Sequence, residues 1–140
     1  LYILDGVVPR TKLAKILEEI YDIAERHRIT VTNVFHAGDG NLHPSICYDG
    51  RDKDERARVI EAGKEILRAC VREGGSISGE HGIGVEKMEF MPLLFSPEDL
   101  QLQKDLRAAV DPRALSNPGK LFPDARSCVE AGRKRHTVPL

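Results

Sequence analysis

The sequence lacks three features that would each point to a particular class of protein. It has only three cysteines, Cys47, Cys70 and Cys128, with no CxxC pair among them. An odd number of distant cysteines argues against a disulfide framework or a cysteine zinc site and favours a reducing compartment. No apolar run approaches the roughly 20 residues of a membrane span, and 21 basic against 22 acidic residues provide no excess positive charge for nucleic acid. We therefore expect a cytoplasmic protein without a nucleic acid partner, peripheral to a membrane only through partner subunits.

The sequence does contain the pattern of a single domain that mixes helices and strands. Its 140 residues are 41% apolar and 31% charged, which is enough apolar surface for one core. Apolar spacing and turn residues predict a strand, a helix, two strands and two further helices. These elements lie at about residues 1–8, 13–28, 29–35, 42–48, 52–73 and 96–110. The glycine-rich segment 74–84 is predicted to be a shaped loop.

The two ends of the chain differ from the segment between them. The chain starts inside the strand-like run Leu1–Leu4 without an initiator methionine, so we expect a piece of a larger protein. A strand at this position could leave an unpaired sheet edge and favour self-association. The domain is predicted to cover residues 1–123, whereas 124–140 has little apolar periodicity and is expected to be disordered or foreign to the domain.

Two histidines flank a tight turn in the segment VFHAGDGNLHP, residues 34–44. Asp39-Gly40 is a favoured pair for a two-residue hairpin turn, and a turn centred there places His36 directly opposite His43. Two imidazoles in that arrangement can bind one divalent ion. The alternative is a polar hairpin whose histidines contact backbone groups or water.

A later loop supplies a carboxylate that could complete such a site. Glu80-His81 lies among glycines, which let the backbone approach a metal or ligand closely. Adjacent residues on an extended loop point in different directions, so one of the pair can bind metal while the other faces substrate. The alternative is a loop with an incidental acid and base. The glycine spacing matches neither a dinucleotide-binding nor a phosphate-binding loop.

Three motifs in fixed order give the chain a family resemblance. They are HAGDGNLHP, GGSISGEHGIG and NPGKLFP. With them the chain resembles the C-terminal part of FAD-linked oxidases of the vanillyl-alcohol oxidase type, in the branch with glycolate oxidase flavin subunits and D-lactate dehydrogenases. The resemblance covers about Asp5 to Pro123. It implies an α+β fold in which an antiparallel sheet carries helices on one face, as a ferredoxin-like cap, in agreement with the predicted element order.

The resemblance also implies roles for individual residues. His36 and His43 would bind a divalent metal, commonly zinc, with Glu80 as the third ligand. His81 would be the catalytic base and Asn41 a polar contact to the substrate. Asn117 and Lys120 match the closing motif, which lies near the flavin, and we assign them to cofactor binding.

The implied function is a metal-assisted oxidation of a small 2-hydroxy acid. The metal would orient the substrate and acidify its hydroxyl, His81 would take the proton, and hydride would pass to FAD. The FAD-binding domain lies N-terminal to this part of the family, so the isolated chain is expected to be inactive; an electron-acceptor subunit is a further possible partner. The alternatives are a metal-binding module without catalysis and a docking subunit of a flavoprotein complex.

Overall fold

The computed structural model describes residues 1–123. The tail predicted at 124–140 lies outside the described residues. The chain forms two compact units, of which the first is Leu1–Gly82 and the second begins at Ile83. Each unit is built from a contiguous stretch of the sequence and is described on its own.

The first unit is an antiparallel sheet with two helices. Its elements in chain order are β1 (Tyr2–Ile3), β2 (Gly6–Val7), α1 (Leu13–His27), β3 (Thr30–His36), β4 (Asn41–Cys47) and α2 (Lys53–Arg72). Strand β4 pairs with β3 along one edge and with β1 and β2 along the other. A further antiparallel bridge joins Val7 to Ser76. If β1 and β2 are counted as one interrupted strand and the Val7–Ser76 bridge as the last strand, the order is β-α-β-β-α-β. This is the ferredoxin-like arrangement, and the α+β prediction is confirmed.

The strand predicted at residues 1–8 is observed as two short strands that share one register against β4. Tyr2 pairs with Ile46, and Gly6 pairs with Leu42. Between them, the Leu4 N–H donates to the Pro44 carbonyl at 3.0 Å. The pairing therefore continues through the gap, and Asp5 lies in it.

The connection between β3 and β4 differs from the predicted two-residue turn. Residues 37–40 form a four-residue loop, with His36 opposite Asn41 and Val34 opposite His43. The N–H groups of Asp39 and Gly40 both donate to the His36 carbonyl at 3.0 Å. Of these two residues, Gly40 alone has a positive φ, of 73°, and a Cβ there would lie 2.0 Å from the Val8 carbonyl oxygen. The prediction that His36 directly faces His43 was wrong. The loop is fixed by the contact of Gly40 with Val8, which follows β2, and not by the Asp39-Gly40 pair alone.

Both helices cover one face of the sheet. Helix α1 packs against α2 and β3, and α2 packs against β2. Apolar side chains from α1, β4 and α2 form the core, and each is at most 1% exposed; they include Ile16, Ile20, Leu42, Ile46, Val59 and Ile66. Because side chains alternate along a strand, Asn41, His43 and Ser45 of β4 lie on the opposite face. The histidine motif is therefore on the face that the helices leave open.

The second unit contains a short 3-10 helix, Met88–Leu93, and α3, Pro97–Val110. Sequence reasoning predicted α3 from its capping signal. Ser96 accepts the Asp99 N–H at 3.1 Å, and the Asp99 carboxylate accepts the Ser96 N–H at 3.0 Å, which is a capping box. Among the described residues, none of the helices combines the length and apolar character that crossing a membrane would need.

Candidate metal and catalytic site

The two motif histidines lie on the same sheet face as diagonal neighbours. Their ring centroids are 5.4 Å apart, with the ring planes nearly perpendicular. The observed register differs from the predicted one by two residues, and because the side-chain period of a strand is two, such a shift keeps every side chain on its face. The expected convergence of His36 and His43 is thus retained although their direct pairing is not.

Glu80 reaches both histidines from the glycine-rich loop. Its Oε1 atom lies 3.1 Å from His43 Nε2 and 4.0 Å from His36 Nε2. Bonds of about 2.0–2.2 Å at tetrahedral angles place ligand atoms roughly 3.4 Å apart, and the observed distances bracket this value. The three side chains therefore fit one divalent ion of zinc's size. They are also unequal in accessibility, because His43 is 8% exposed while the side chains of His36 and Glu80 are more than half exposed.

The other ring nitrogen of His43, Nδ1, forms a hydrogen bond with the backbone. Nδ1 lies 3.3 Å from the carbonyl oxygen of Leu4, and a carbonyl can only accept, so Nδ1 carries the proton. The lone pair of a neutral ring is then on Nε2, the atom that faces Glu80. Metal-binding histidines commonly hold their other N–H on a backbone carbonyl in this way.

His81 joins the cluster without taking the same position as Glu80. Its ring stacks on His43 with centroids 5.0 Å apart and planes inclined by 17°, and its Nε2 is 3.6 Å from Glu80 Oε1. Sequence reasoning expected the two adjacent side chains to point in different directions. Both instead lie beside His43, because the loop bends around a buried carboxylate and is not extended.

That carboxylate belongs to Asp5, which sequence reasoning missed as a site residue. Asp5 Oδ2 accepts hydrogen bonds from the N–H groups of Gly79, Glu80 and His81 at 3.0, 3.2 and 2.9 Å. It also accepts the Ser78 hydroxyl at 2.7 Å. The available signal was an acidic residue within an otherwise apolar strand-like run, since a charge at such a position requires partners.

Asn41 lies beneath the loop and is 6% exposed. A Cβ at Gly79 would lie 2.7 Å from the Asn41 side-chain amide, so the glycine permits the loop to rest on that amide. Asn41 Oδ1 is buried and has no hydrogen-bond partner among residues 1–123. The predicted role of Asn41 in contacting substrate stays a prediction, and its unsatisfied oxygen is available for a ligand.

Residues 1–121 match the family described as FAD linked oxidases, C-terminal domain. The chain belongs to this family. Among curated proteins, the glycolate oxidase subunit GlcD of Escherichia coli (strain K12) is 46% identical over 131 residues, which are 94% of this chain and 26% of that protein. GlcD of Bacillus subtilis is 44% identical over 92% of this chain and 28% of its own length. A D-lactate dehydrogenase of Archaeoglobus fulgidus is 38% identical over 85% and 26%.

The chain thus spans about a quarter of the length of these relatives. Within it, the two residues assigned to cofactor binding belong to the second unit. Lys120 Nζ donates to Asn117 Oδ1 at 3.1 Å, and the Arg107 guanidinium donates to the carbonyl oxygens of both residues at 2.9 and 3.0 Å. Asn117 has a positive φ of 49°. Their cofactor role stays a prediction. In the structure they lie in a turn that Arg107 of α3 holds through its hydrogen bonds.

Proposed function

We propose that this chain supplies the metal and substrate site of an FAD-dependent 2-hydroxy-acid oxidoreductase of the glycolate oxidase or D-lactate dehydrogenase type. The observation that carries the proposal is the approach of Glu80 Oε1 to the Nε2 atoms of His43 and His36, at 3.1 and 4.0 Å. Two imidazoles and a carboxylate are a ligand set found in catalytic zinc sites, which leave one position open. The family membership and the names of the relatives support this reaction class.

Each residue has a distinct task in this proposal. His36, His43 and Glu80 would hold the divalent ion, with zinc as the expected metal. When bound, the ion supplies a Lewis acid that orients a 2-hydroxy acid and lowers the pKa of its hydroxyl. His81 stacks on His43 and has a side chain that is 46% exposed, and its ring would accept the hydroxyl proton. This histidine exceeds what a structural metal site needs, which favours an enzyme over a metal-binding module without catalysis.

The oxidation removes two electrons from the substrate. The hydroxyl proton passes to His81, and the hydrogen on carbon 2 leaves with its electron pair, so that the hydroxy acid becomes a 2-keto acid. FAD supplies the acceptor for that hydride. The FAD-binding part would come from the remainder of a longer protein, in keeping with the short share of the relatives that the chain covers.

Two measurements test the proposal. The 140-residue chain is titrated with Zn²⁺ by calorimetry, with the expectation of one site per chain that His43→Ala removes. The full-length protein is then assayed for dye reduction driven by glycolate and by D-lactate. His81→Ala should lower turnover about 10²–10⁴-fold while zinc content is kept. Absence of Zn²⁺ binding by the wild-type chain would refute the metal site, and unchanged turnover in His81→Ala would refute the assigned base.

The isolated chain provides a negative control for the same proposal. It should show no flavin absorbance and no 2-hydroxy-acid oxidation after purification, because no side chain can act as the hydride acceptor. Addition of free FAD should not restore activity. Stoichiometric flavin that remains bound to the 140-residue chain would contradict the division of the site between two parts.

A further inference from the structure

Asp5 is a fully buried carboxylate between two short strands, next to the histidine cluster but separate from its open side. It is 0% exposed, and it follows Leu4, whose carbonyl contacts His43. An ionised carboxylate in such a place is strongly unfavourable unless several donors surround it. The question is which groups surround Asp5 and what their arrangement does.

Four donors to Asp5 come from one short loop. The backbone N–H groups of three consecutive residues, Gly79, Glu80 and His81, all point at Oδ2, and Glu80 N also lies 3.3 Å from Oδ1. The Ser78 hydroxyl completes the set at 2.7 Å. Successive N–H groups that converge on one anion form a concave anion-binding loop. Here the anion is a side chain of the same protein, supplied from 73 or more residues earlier in the chain.

We propose that Asp5 is a positioning residue that fixes the Ser78–His81 loop so that the metal ligand and the base face the histidines. This inference rests on the proposed function for the roles of Glu80 and His81. When three successive N–H groups turn inward, the backbone curves and neighbouring side chains are no longer directed to opposite sides. Glu80 and His81 consequently both reach His43, at 3.1 Å between Oε1 and Nε2 and at 5.0 Å between ring centroids.

Asp5 could instead be a metal ligand, because one of its oxygens lies within 4.8 Å of ligand atoms of His43 and His81. Its hydrogen bonding argues against this. All four donors approach Oδ2 of Asp5, and Oδ1 lies 3.3 Å from the Glu80 N–H. A metal bond at Oδ2 would have to displace some of those donors, and one at Oδ1 would compete with the Glu80 N–H that holds the loop. Glu80, with a half-exposed side chain, meets no such competition.

The carboxylate is specifically required at this position. An asparagine of the same shape has one accepting oxygen, which can take the place of Oδ2 but carries no charge, and its NH₂ group would then face the Glu80 N–H that lies 3.3 Å from Oδ1. Hydrogen bonds to an ionised acceptor are about twice as strong as bonds to a neutral one, so Asp5→Asn should weaken the contacts and release the loop. Ile46→Val is the matched control, because it removes one methyl group from the core face of β4 and leaves Asp5 and the loop unchanged.

Amide hydrogen exchange, followed by NMR on the 140-residue chain, tests the anchor without any metal. In the wild type, the N–H groups of Gly79, Glu80 and His81 should exchange on the order of 100-fold more slowly than unprotected amides, although they lie in a loop. Asp5→Asn should remove this protection and Ile46→Val should keep it. Unprotected amides in the wild type would overturn the proposal, and this measurement decides the matter even if Asp5→Asn does not fold.

Calorimetric Zn²⁺ titration of the same three proteins tests the consequence for the site. Asp5→Asn should bind Zn²⁺ about 10- to 100-fold more weakly, as expected when a residue that supports a ligand is altered, while Ile46→Val binds as the wild type does. If Asp5→Asn loses Zn²⁺ but keeps the three amides protected, Asp5 is a ligand and the proposal fails. If the wild type binds no Zn²⁺, the metal site of the proposed function fails, while the exchange experiment still decides whether Asp5 anchors the loop.

Discussion

The Nδ1 atom of His43 lies 3.3 Å from the carbonyl oxygen of Leu4, and the residue next to His43 makes this contact possible. In the antiparallel ladder, Leu4 N–H donates to the Pro44 carbonyl at 3.0 Å. The reciprocal bond would run from the N–H of residue 44 to the Leu4 carbonyl, but proline has no N–H. The vacant acceptor is taken by the imidazole of His43, which leaves Nε2 for Glu80.

Pro44→Ala should therefore weaken Zn²⁺ binding without unfolding the chain. The new backbone N–H competes with His43 for the Leu4 carbonyl, so the ring is no longer held in one tautomer. We expect about a 10-fold loss of Zn²⁺ affinity and a stability change within about 1 kcal/mol, because the added ladder bond offsets the lost rigidity of proline. Nitrogen-15 NMR of the ring reports the tautomer. An unchanged tautomer together with unchanged affinity would contradict the role of Pro44, and Pro9→Ala, which does not alter β4, is the control.

The four histidines in the described residues should separate into three groups. His36→Ala and His43→Ala should lose metal and turnover together in the full-length protein. His81→Ala should keep the metal while turnover falls about 10²–10⁴-fold, the usual effect of removing a general base. His27, whose Nε2 contacts Glu65 at 2.9 Å, is the control, because His27→Ala should change neither metal content nor turnover.

Metal analysis beside steady-state kinetics distinguishes these groups. Equal metal loss in His81→Ala and His43→Ala would make His81 a ligand and would leave the base unassigned. Retention of metal in His36→Ala would instead reduce the ligand set to His43 and Glu80.

The sequence was sufficient to predict the main helices and strands and the residues of the histidine cluster. It was not sufficient to predict the contacts that hold the cluster in place. Helical spacing located α2, observed at Lys53–Arg72, to within one residue, because its amphipathic pattern is a local property. The hairpin register depended on Gly40 meeting the carbonyl of Val8, a contact between distant parts of the chain. The role of Asp5 was hidden for the same reason, since its donors are more than 70 residues away.

Gly79→Ala should disturb the site by overpacking. A methyl group there would lie 2.7 Å from the amide of Asn41, and the buried Asn41 side chain has little room to move. We expect a loss of about 1–3 kcal/mol in the free energy of unfolding and weaker Zn²⁺ binding. Gly38→Ala is the matched control, because a Cβ at Gly38 meets nothing within 4 Å. Urea denaturation measures the free energy of unfolding of both single variants. The double variant Gly79→Ala/Asn41→Ala should recover part of the lost stability if the clash is the cause.

Glu65 should contribute to the pH dependence of stability. Its hydrogen bond with His27, aided by Arg26, lowers the pKa of the Glu65 carboxyl below its ordinary value. A carboxyl whose pKa is lower in the folded state stabilises the fold above its unfolded pKa, and this contribution disappears as the pH falls through the folded pKa. Glu65→Gln should therefore lose less stability than the wild type between pH 5.5 and pH 3. Urea midpoints at both pH values test this, with Glu61→Gln on the same helix as control; equal losses in wild type and Glu65→Gln would contradict it.

Arg107 should control the turn that carries the two residues assigned to cofactor binding. From α3 its guanidinium donates to the carbonyl oxygens of Ser116, Asn117 and Lys120. A planar guanidinium can bond several acceptors in a fixed geometry, whereas a lysine ammonium is a single point on a flexible chain. Arg107→Lys keeps the charge but should loosen the turn and expose the bond after Lys120 to trypsin.

Limited trypsin digestion with mass spectrometry measures cleavage at that one bond. Cleavage after Lys120 should be faster in Arg107→Lys than in the wild type and unchanged in Arg113→Lys, whose arginine is exposed nearby. In the full-length protein, Arg107→Lys should also retain less FAD than Arg113→Lys if Asn117 and Lys120 contact the cofactor. Faster cleavage with full FAD retention would support the role of Arg107 in holding the turn but would exclude contact of Asn117 and Lys120 with FAD. A loosened turn cannot hold a ligand as firmly as the ordered one.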